Sequence, residues 1–172
     1  MRRFNMRSLS LGERNEAARR LFCDVAPFHL GGSEYELSRG GVDLDLTATR
    51  VGRRVTLRGE AVAELRGPCQ RCLSDAVLAL PVHCVDYVAD GDSDAGDDVP
   101  YVRGYVLDLE RWVRDAIAEE LPSQILCREG CLGLCPQCGA DLNEVGEGHR
   151  HDGSEGRAGG GPFGQSGAAT VK

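Results

Sequence analysis

Six of the eight cysteines occur in pairs whose spacing suits a bound metal ion. The pairs are Cys69/Cys72, Cys127/Cys131 and Cys135/Cys138. In a Cys-x-x-Cys turn both sulfurs can point at one cation, while backbone amides of the turn donate to them. A structural zinc ion takes four such ligands in a closed tetrahedron, at about 2.3 Å from each sulfur. The spacing therefore predicts a structural Zn²⁺ site, with these six cysteines as its candidate ligands.

Three pairs offer more thiolates than one zinc ion needs, so two arrangements stay open. In the local arrangement the four cysteines between 127 and 138 bind the ion by themselves. In the long-range arrangement Cys69 and Cys72 join one of the two later pairs. Loop-closure entropy separates the two only weakly, because its cost grows with the logarithm of loop length. His149 and His151 are possible substitutes, although histidines in a glycine-rich tail are usually solvated.

Other cysteine chemistries fit this pattern less well than zinc does. A thiol enzyme acting through Cys69 and Cys72 needs a helix N-terminus to lower the thiol pKa, and the flanking patterns predict strands. Ferredoxin-type iron–sulfur runs use other spacings. The chain shows no phosphate-binding glycine loop and no histidine–glutamate metal motif. We therefore expect that the protein is not an enzyme. Cys23 and Cys84 are isolated and are predicted to be small core residues.

Three strands are predicted around the first cysteine pair. Apolar and polar residues alternate from Val42 to Ala48 and again from Val55 to Leu65, with a turn around Gly52, which predicts a hairpin. A third alternating stretch begins at Ala76, and Pro81 within it indicates an edge strand or a bulge. The pair Cys69/Cys72 is therefore expected in the connection between two antiparallel strands.

One helix is predicted after an acidic loop at 89–98 and a short strand at 101–106. Asp108 suits the N-cap, Leu109 to Leu121 carry apolar residues at helical spacing, and Pro122 ends the helix. Trp112, on the apolar face, is expected to anchor the core. The predicted fold class is α+β: a small antiparallel β-sheet or partly open barrel, one main helix and a C-terminal cysteine-rich zinc knuckle.

The 172 residues predict one domain with looser ends. We expect a basic arm at 1–20, a domain at 21–144 with its knuckle at 127–143, and a disordered glycine-rich tail at 145–172. No secretion signal or membrane span is recognisable, which favours the cytoplasm, where thiols stay reduced. A net charge of −7 argues against non-specific nucleic-acid binding. Arg2, Arg3 and Arg7 are the candidates for a local RNA contact.

The segment LCREGCLGLCPQCGADLN (126–143) resembles the C-terminal signature of the YceD family, the large ribosomal RNA subunit accumulation proteins. Cys69-Gln70-Arg71-Cys72-Leu73 is similar to the central Cys-x-Arg-Cys-Leu element of that family. The acidic loop, the following VLDL and a helix ending in Leu-Pro resemble its middle segment, and Asn5 to Leu9 its N-terminal phrase. Many members continue the signature with further cysteines, where this chain has Gly146, Gly148, His149 and His151.

The resemblance implies a non-enzymatic factor in ribosome biogenesis that supports synthesis or accumulation of large-subunit (23S) rRNA. Its expected partner is a large-subunit rRNA precursor or a ribosome-assembly protein, with no membrane and no small-molecule substrate. Some members keep only the Cys-x-Arg-Cys pair, so the resemblance supports the long-range ligand set about as well as the local one. The knuckle and the acidic loop alone would also suit a zinc-dependent protein-interaction module, such as a transcription adaptor.

Overall fold

The computed structural model describes residues 1–9, 11, 15–89, 100–146 and 148–151. Within them, every strand pairing is antiparallel, and α1 is the one helix longer than four residues. In chain order the elements are β1 (Arg3–Asn5), β2 (Glu16–Asp24), β3 (Phe28–Leu30), β4 (Ser33–Leu37), β5 (Gly41–Val51), β6 (Arg54–Pro68), β7 (Asp75–Ala89), β8 (Val102–Arg103), β9 (Val106–Asp108), α1 (Leu109–Glu120) and α2 (Leu142–Val145). The antiparallel sheet with one main helix is the fold that the sequence predicts.

The larger sheet is organised around β6, which has 15 residues. The predicted hairpin is present as β5 and β6, whose last pair is Val51 with Arg54. Along its other side β6 pairs over its whole length with β7, from Arg54–Ala89 to Pro68–Asp75. Among the described strands β7 pairs only with β6, in agreement with the edge position that Pro81 indicates. The first cysteine pair follows Pro68, at the end of this long ladder.

The core lies between the buried face of this sheet and α1. Leu44, Leu46, Leu57 and Leu65 are at most 1% exposed, as the alternation predicts. Trp112 of α1 is buried, and a Cβ added at Gly59 would lie 3.2 Å from its ring. The indole therefore fills the space left by a residue without a side chain, and it anchors the helix to the sheet.

The helix begins where the sequence predicts. Asp108 accepts a hydrogen bond from the Arg111 amide, and the backbone becomes extended at Leu121, just before Pro122.

Where the sequence predicts one short strand at 101–106, the structure has β8 and the start of β9, which join β1 in a separate three-stranded sheet. Gly104, at φ +57°, stands at the turn between them. Of the acidic loop expected at 89–98, Ala89 is the last residue of β7, and the rest lies outside the described residues.

The two chain ends differ from the arm and tail that the sequence indicates. β1 pairs with β9, and β2 begins at Glu16 and pairs with β5 over nine residues. The alternation of apolar and polar residues in β2 is obscured at Arg19, which is exposed although it pairs with Leu46 of β5. At the other end, α2 extends to Val145, and residues 148–151 return to the cysteine-rich segment. The rest of the expected tail, 152–172, lies outside the described residues.

Candidate metal centre

Four cysteines from two distant segments converge beside the end of the β6–β7 ladder. They are Cys69, Cys72, Cys127 and Cys131, whose sulfur atoms all lie within 4.8 Å of one another. The Sγ atoms of Cys69 and Cys131 are 3.8 Å apart, and those of Cys72 and Cys127 are 3.5 Å apart. Cys69 and Cys131 are fully buried, and Cys72 is nearly so. We call this group the four-cysteine cluster.

The strand connection itself fixes the first two cysteines of the cluster. The Cys69 amide donates to the Ser74 carbonyl at 2.7 Å, and the Leu73 amide donates to the Cys69 carbonyl at 3.0 Å. Leu73 takes a positive φ of 64°, which is unusual for a branched residue. The Arg71 amide lies 3.5 Å from the Cys69 sulfur. The turn thus presents both sulfurs on one side and aims an amide dipole at one of them.

The two residues inside the Cys-x-x-Cys turn hold the later segment in place. The Gln70 amide donates to the Ile125 carbonyl at 2.9 Å, and the Ile125 amide donates back to Gln70 Oε1 at 3.1 Å. Arg71 Nη1 donates to the Cys131 carbonyl at 3.0 Å, and its Nε donates to Gln124 Oε1 at 3.1 Å. These bonds, together with the buried Ile125 side chain, bring Cys127 and Cys131 to the hairpin pair.

Asn143 adds a support from the far side of the cysteine-rich segment. Its side-chain oxygen accepts from the Leu132 amide at 2.9 Å, and its side-chain nitrogen lies 3.4 Å from the Cys131 sulfur. The Leu134 amide donates to the Arg71 carbonyl at 3.2 Å. The cluster therefore has an outer layer of donors that orients its sulfurs, as protein metal sites generally do.

The thiols of the four-cysteine cluster are electrostatically unequal. Burial raises the pKa of Cys69, but the backbone amides of Cys72, Arg71 and Cys127 more than offset this and bring it to about 6. A hydrogen bond from Ser74 lowers the pKa of Cys72. Ser74 also lowers that of Cys127, yet burial and the neighbouring sulfurs raise it to about 11. The neighbouring sulfurs therefore oppose ionisation of the Cys127 thiol.

The donor set fits one divalent metal ion. A tetrahedral zinc with bonds of about 2.3 Å separates its sulfur ligands by about 3.8 Å, close to the 3.8 and 3.5 Å found here. A dication would also let all four thiols ionise, because its charge compensates theirs. Cys69, Cys72, Cys127 and Cys131 are the residues that could hold it.

The other two paired cysteines face two histidines. Cys135 Sγ lies 3.1 Å from His151 Nε2, and Cys138 Sγ lies 3.3 Å from His149 Nε2. The two histidine Nε2 atoms are 3.1 Å apart, and all four ligand atoms lie within 4.8 Å of one another. We call this group the Cys/His cluster. It is the more exposed of the two, since Cys138 is exposed and both histidines are partly so.

The Cys135–Cys138 turn is closed by backbone hydrogen bonds and by the glycine that follows it. Gly139 takes φ +73°, its amide donates to the Cys135 carbonyl, and the Cys135 amide donates to the Ala140 carbonyl, both at 2.8 Å. A hydrogen bond with His151, then the Cys138 and Gln137 amides, lower the pKa of Cys135 to about 6. The turn therefore offers the anionic sulfur that a metal ion requires.

The structure brings four of the six candidate cysteines together in a long-range arrangement. It unites Cys69/Cys72 with Cys127/Cys131, and it does not bring the four cysteines of the local set within metal-binding distance of one another among the described residues. His149 and His151, which the sequence offers only as possible substitute ligands in a glycine-rich tail, lie beside Cys135 and Cys138. The signal that could have found them is two histidines separated by one residue, soon after a Cys-x-x-Cys turn.

The remaining candidates lie away from both clusters. Arg2 pairs with Glu110 at 3.3 Å, and the Arg7 guanidinium lies 4.0 Å from the centre of the Tyr105 ring. Arg3 lines a surface pocket of about 500 Å³ together with Arg103 and Arg111. Cys23 and Cys84 are buried in the core, and burial raises their thiol pKa values to about 11 and about 12. No described helix has the length and apolarity to span a bilayer.

Comparison with known proteins gives one family and several relatives. The family described as large ribosomal RNA subunit accumulation protein YceD matches residues 57–158, a range that contains both clusters. An uncharacterized protein of Mycobacterium tuberculosis (strain ATCC 25618 / H37Rv) is 35% identical over 133 residues, which are 74% of this chain and 64% of that protein. An uncharacterized protein of Mycobacterium leprae (strain TN) is 34% identical over 116 residues, covering 64% and 53% of the two chains. The matched region thus spans less than two thirds of each relative. No solved structure matches.

Proposed function

The chain belongs to the YceD family, and from that premise we propose that it is a non-enzymatic ribosome-biogenesis factor that supports synthesis or accumulation of large-subunit (23S) rRNA. The observation that carries the proposal is the position of the match. Residues 57–158 run from within β6 through the Cys-x-x-Cys turn and past His151, the last residue of the Cys/His cluster. The family's region is therefore the part of the chain that the two clusters hold together.

We further propose that the four-cysteine cluster binds a structural Zn²⁺ ion. Four protein thiolates complete a tetrahedron and leave no coordination position for a substrate or for reactive water. The site joins the β6–β7 connection to the segment after α1, which supports a role in folding this surface rather than in catalysis. On this account the backbone amides that lower the pKa of Cys69 favour the thiolate that a metal ion binds.

The partner is, by the same proposal, a large-subunit rRNA precursor or a ribosome-assembly protein in the cytoplasm. A test between the two can use Arg3, Arg103 and Arg111, which line one surface pocket together with Asp108. Each phosphate contact that an arginine makes contributes about one unit to the slope of log affinity against log salt. If RNA is bound here, Arg3→Gln with Arg103→Gln should weaken RNA binding and reduce that slope by about two. An unchanged slope assigns the contact to a protein partner.

The direct test of the function is rRNA content after loss of the gene in its native host. We expect deletion to lower 23S rRNA relative to 16S rRNA. The wild-type gene should restore the ratio, and a gene carrying Cys69→Ser and Cys72→Ser should not. Arg128→Lys is a suitable control, since Arg128 is an exposed residue of the same cysteine-rich segment. A normal 23S to 16S ratio in the deletion strain would refute the proposal, and capture of polymerase subunits without ribosomal material would favour a transcription adaptor.

A further inference from the structure

The Cys/His cluster brings together four atoms of kinds that bind metal ions, all within 4.8 Å of one another. Each sulfur faces a histidine nitrogen, at 3.1 and 3.3 Å. The two Nε2 atoms in turn face each other at 3.1 Å. A cation placed among the four atoms would be attracted to the lone pairs of both sulfurs and of both neutral imidazoles.

From this geometry we propose that Cys135, Cys138, His149 and His151 bind a second zinc ion, separate from the ion of the four-cysteine cluster. The two clusters have no ligand in common. This site goes beyond the proposed function, because metal binding here does not depend on what the protein does for rRNA.

The dimensions of the cluster suit a single tetrahedral ion. Zinc bonds of about 2.3 Å to sulfur and about 2.0 Å to nitrogen place neighbouring ligand atoms about 3.3 to 3.8 Å apart. The measured separations of 3.1 and 3.3 Å need to open by only a few tenths of an ångström. A two-iron cluster with two cysteines and two histidines divides these ligands between two irons. Here each sulfur instead directly faces a histidine nitrogen, as around one ion.

The chain between the two ligand pairs is folded so that the histidines return to the cysteine turn. Asp141 caps α2 by accepting from the Asn143 amide, and the Gly146 amide closes α2 on the Leu142 carbonyl. The His149 amide then donates to the Gly146 carbonyl at 3.2 Å. These short-range bonds place both imidazoles beside Cys135 and Cys138 without any buried apolar side chain in α2.

The proposed ion is thus the main link that holds residues 148–151 against the body of the protein. It lies next to the first site, because Cys131 and Cys135 are four residues apart and Leu134 bonds the Arg71 carbonyl. Its greater exposure predicts faster exchange with chelators than at the four-cysteine cluster. Arg150, between the two histidine ligands, is an exposed trypsin site whose cleavage reports on the link.

The test is the zinc content of the purified full chain, measured by mass spectrometry under native conditions. We expect His149→Gln with His151→Gln to lower the content by one ion per chain. The matched control is His29→Gln with His83→Gln, which removes the chain's other two histidines, both exposed, and should leave the content unchanged. An unchanged content in the first variant, or iron in place of zinc, overturns the proposal.

Two further measurements keep the second site distinguishable from the first. The Cys69→Ser, Cys72→Ser variant should still retain one zinc ion, because the Cys/His cluster remains intact. Trypsin should cut after Arg150 at least tenfold faster in the His149→Gln, His151→Gln variant than in the histidine control. A metal-free Cys69→Ser, Cys72→Ser variant that is still folded by circular dichroism, or equal cleavage rates, would contradict the second site.

Discussion

Arg71 shows how a single residue in the Cys-x-x-Cys turn can determine which cysteines form a site. Its guanidinium bonds the Cys131 carbonyl and Gln124 at once, and its own carbonyl accepts from Leu134. The planar fork of arginine can reach two acceptors in fixed directions, whereas the single ammonium of lysine is a point donor. Arg71 is therefore a positioning residue for the four-cysteine cluster. Its side chain is exposed to solvent and acts on the cluster through Gln124 and the Cys131 carbonyl.

Replacing Arg71 by lysine should weaken metal binding at the four-cysteine cluster. We expect Arg71→Lys to lower its zinc affinity by about 10- to 100-fold, the usual effect of removing a supporting group around a metal. Affinity at the Cys/His cluster should stay the same. Competition with a coloured chelator measures the zinc affinity of each cluster. Arg128→Lys is the control, because it makes the same substitution at an exposed neighbouring arginine. Equal affinities in the two variants would show that Arg71 does not position the ligands.

At the scale of elements, the approach of the cysteine-rich segment to the hairpin depends on a glycine. Gly133 takes φ +81°, and a Cβ there would lie 3.1 Å from the Arg71 carbonyl oxygen. Gly130 also takes a positive φ, +71°, but has open space around it. Substitutions at these two positions therefore distinguish the effect of backbone strain from the effect of close approach within one segment.

Alanine at these two glycines should have different consequences. Each substitution should lower the free energy of unfolding by about 1 kcal/mol, because alanine is disfavoured at positive φ. Only Gly133→Ala should also weaken zinc binding at the four-cysteine cluster, since it pushes the segment away from Arg71. Chemical denaturation with and without zinc measures both effects. If both variants lose the same free energy of unfolding, with zinc and without it, the close approach at Gly133 is unimportant.

The N-terminus of α1 offers a second test at the scale of elements. Asp108 accepts from the Arg111 amide and ends β9 at the same residue. We expect Asp108→Ala to lower the free energy of unfolding by about 1 kcal/mol, while Asp108→Asn, which keeps the acceptor oxygen, should lose only a few tenths. Thermal unfolding of the two variants gives the comparison. Equal losses would show that charge, and not the cap, is what Asp108 contributes.

At the scale of the whole molecule, the sequence predicts the parts whose signals are local. The β5–β6 hairpin, β7 and α1 follow from the alternation after Val42, the turn at Gly52, the cap at Asp108 and the stop at Pro122. β2 is missed because Arg19 and Arg20 interrupt its alternation, and β1 is too short to show a period. The sequence indicates β8 and β9 only as one short strand. The antiparallel sheet with one main helix is therefore confirmed, while the structured ends are not foreseen.

The partition of the cysteines could not be predicted because it is a tertiary property. Spacing identifies pairs, but loop-closure entropy differs little between a local and a long-range site. The deciding contacts are the bonds of Gln70 and Arg71 to Ile125 and Cys131, across more than fifty residues of sequence. The histidines are a similar case, since they meet Cys135 and Cys138 through polar atoms, and α2 before them buries no apolar side chain.

The central claim is that the β6–β7 turn and the segment after α1 share one metal ion. It is tested most directly by the zinc content of three variants: Cys69→Ser with Cys72→Ser, Cys127→Ser with Cys131→Ser, and all four together. The account predicts that each pair of substitutions removes one ion per chain relative to wild type, and that the fourfold variant loses no more than either pair. A zinc content that is unchanged when Cys69 and Cys72 are replaced, but falls when Cys127 and Cys131 are replaced, would contradict it.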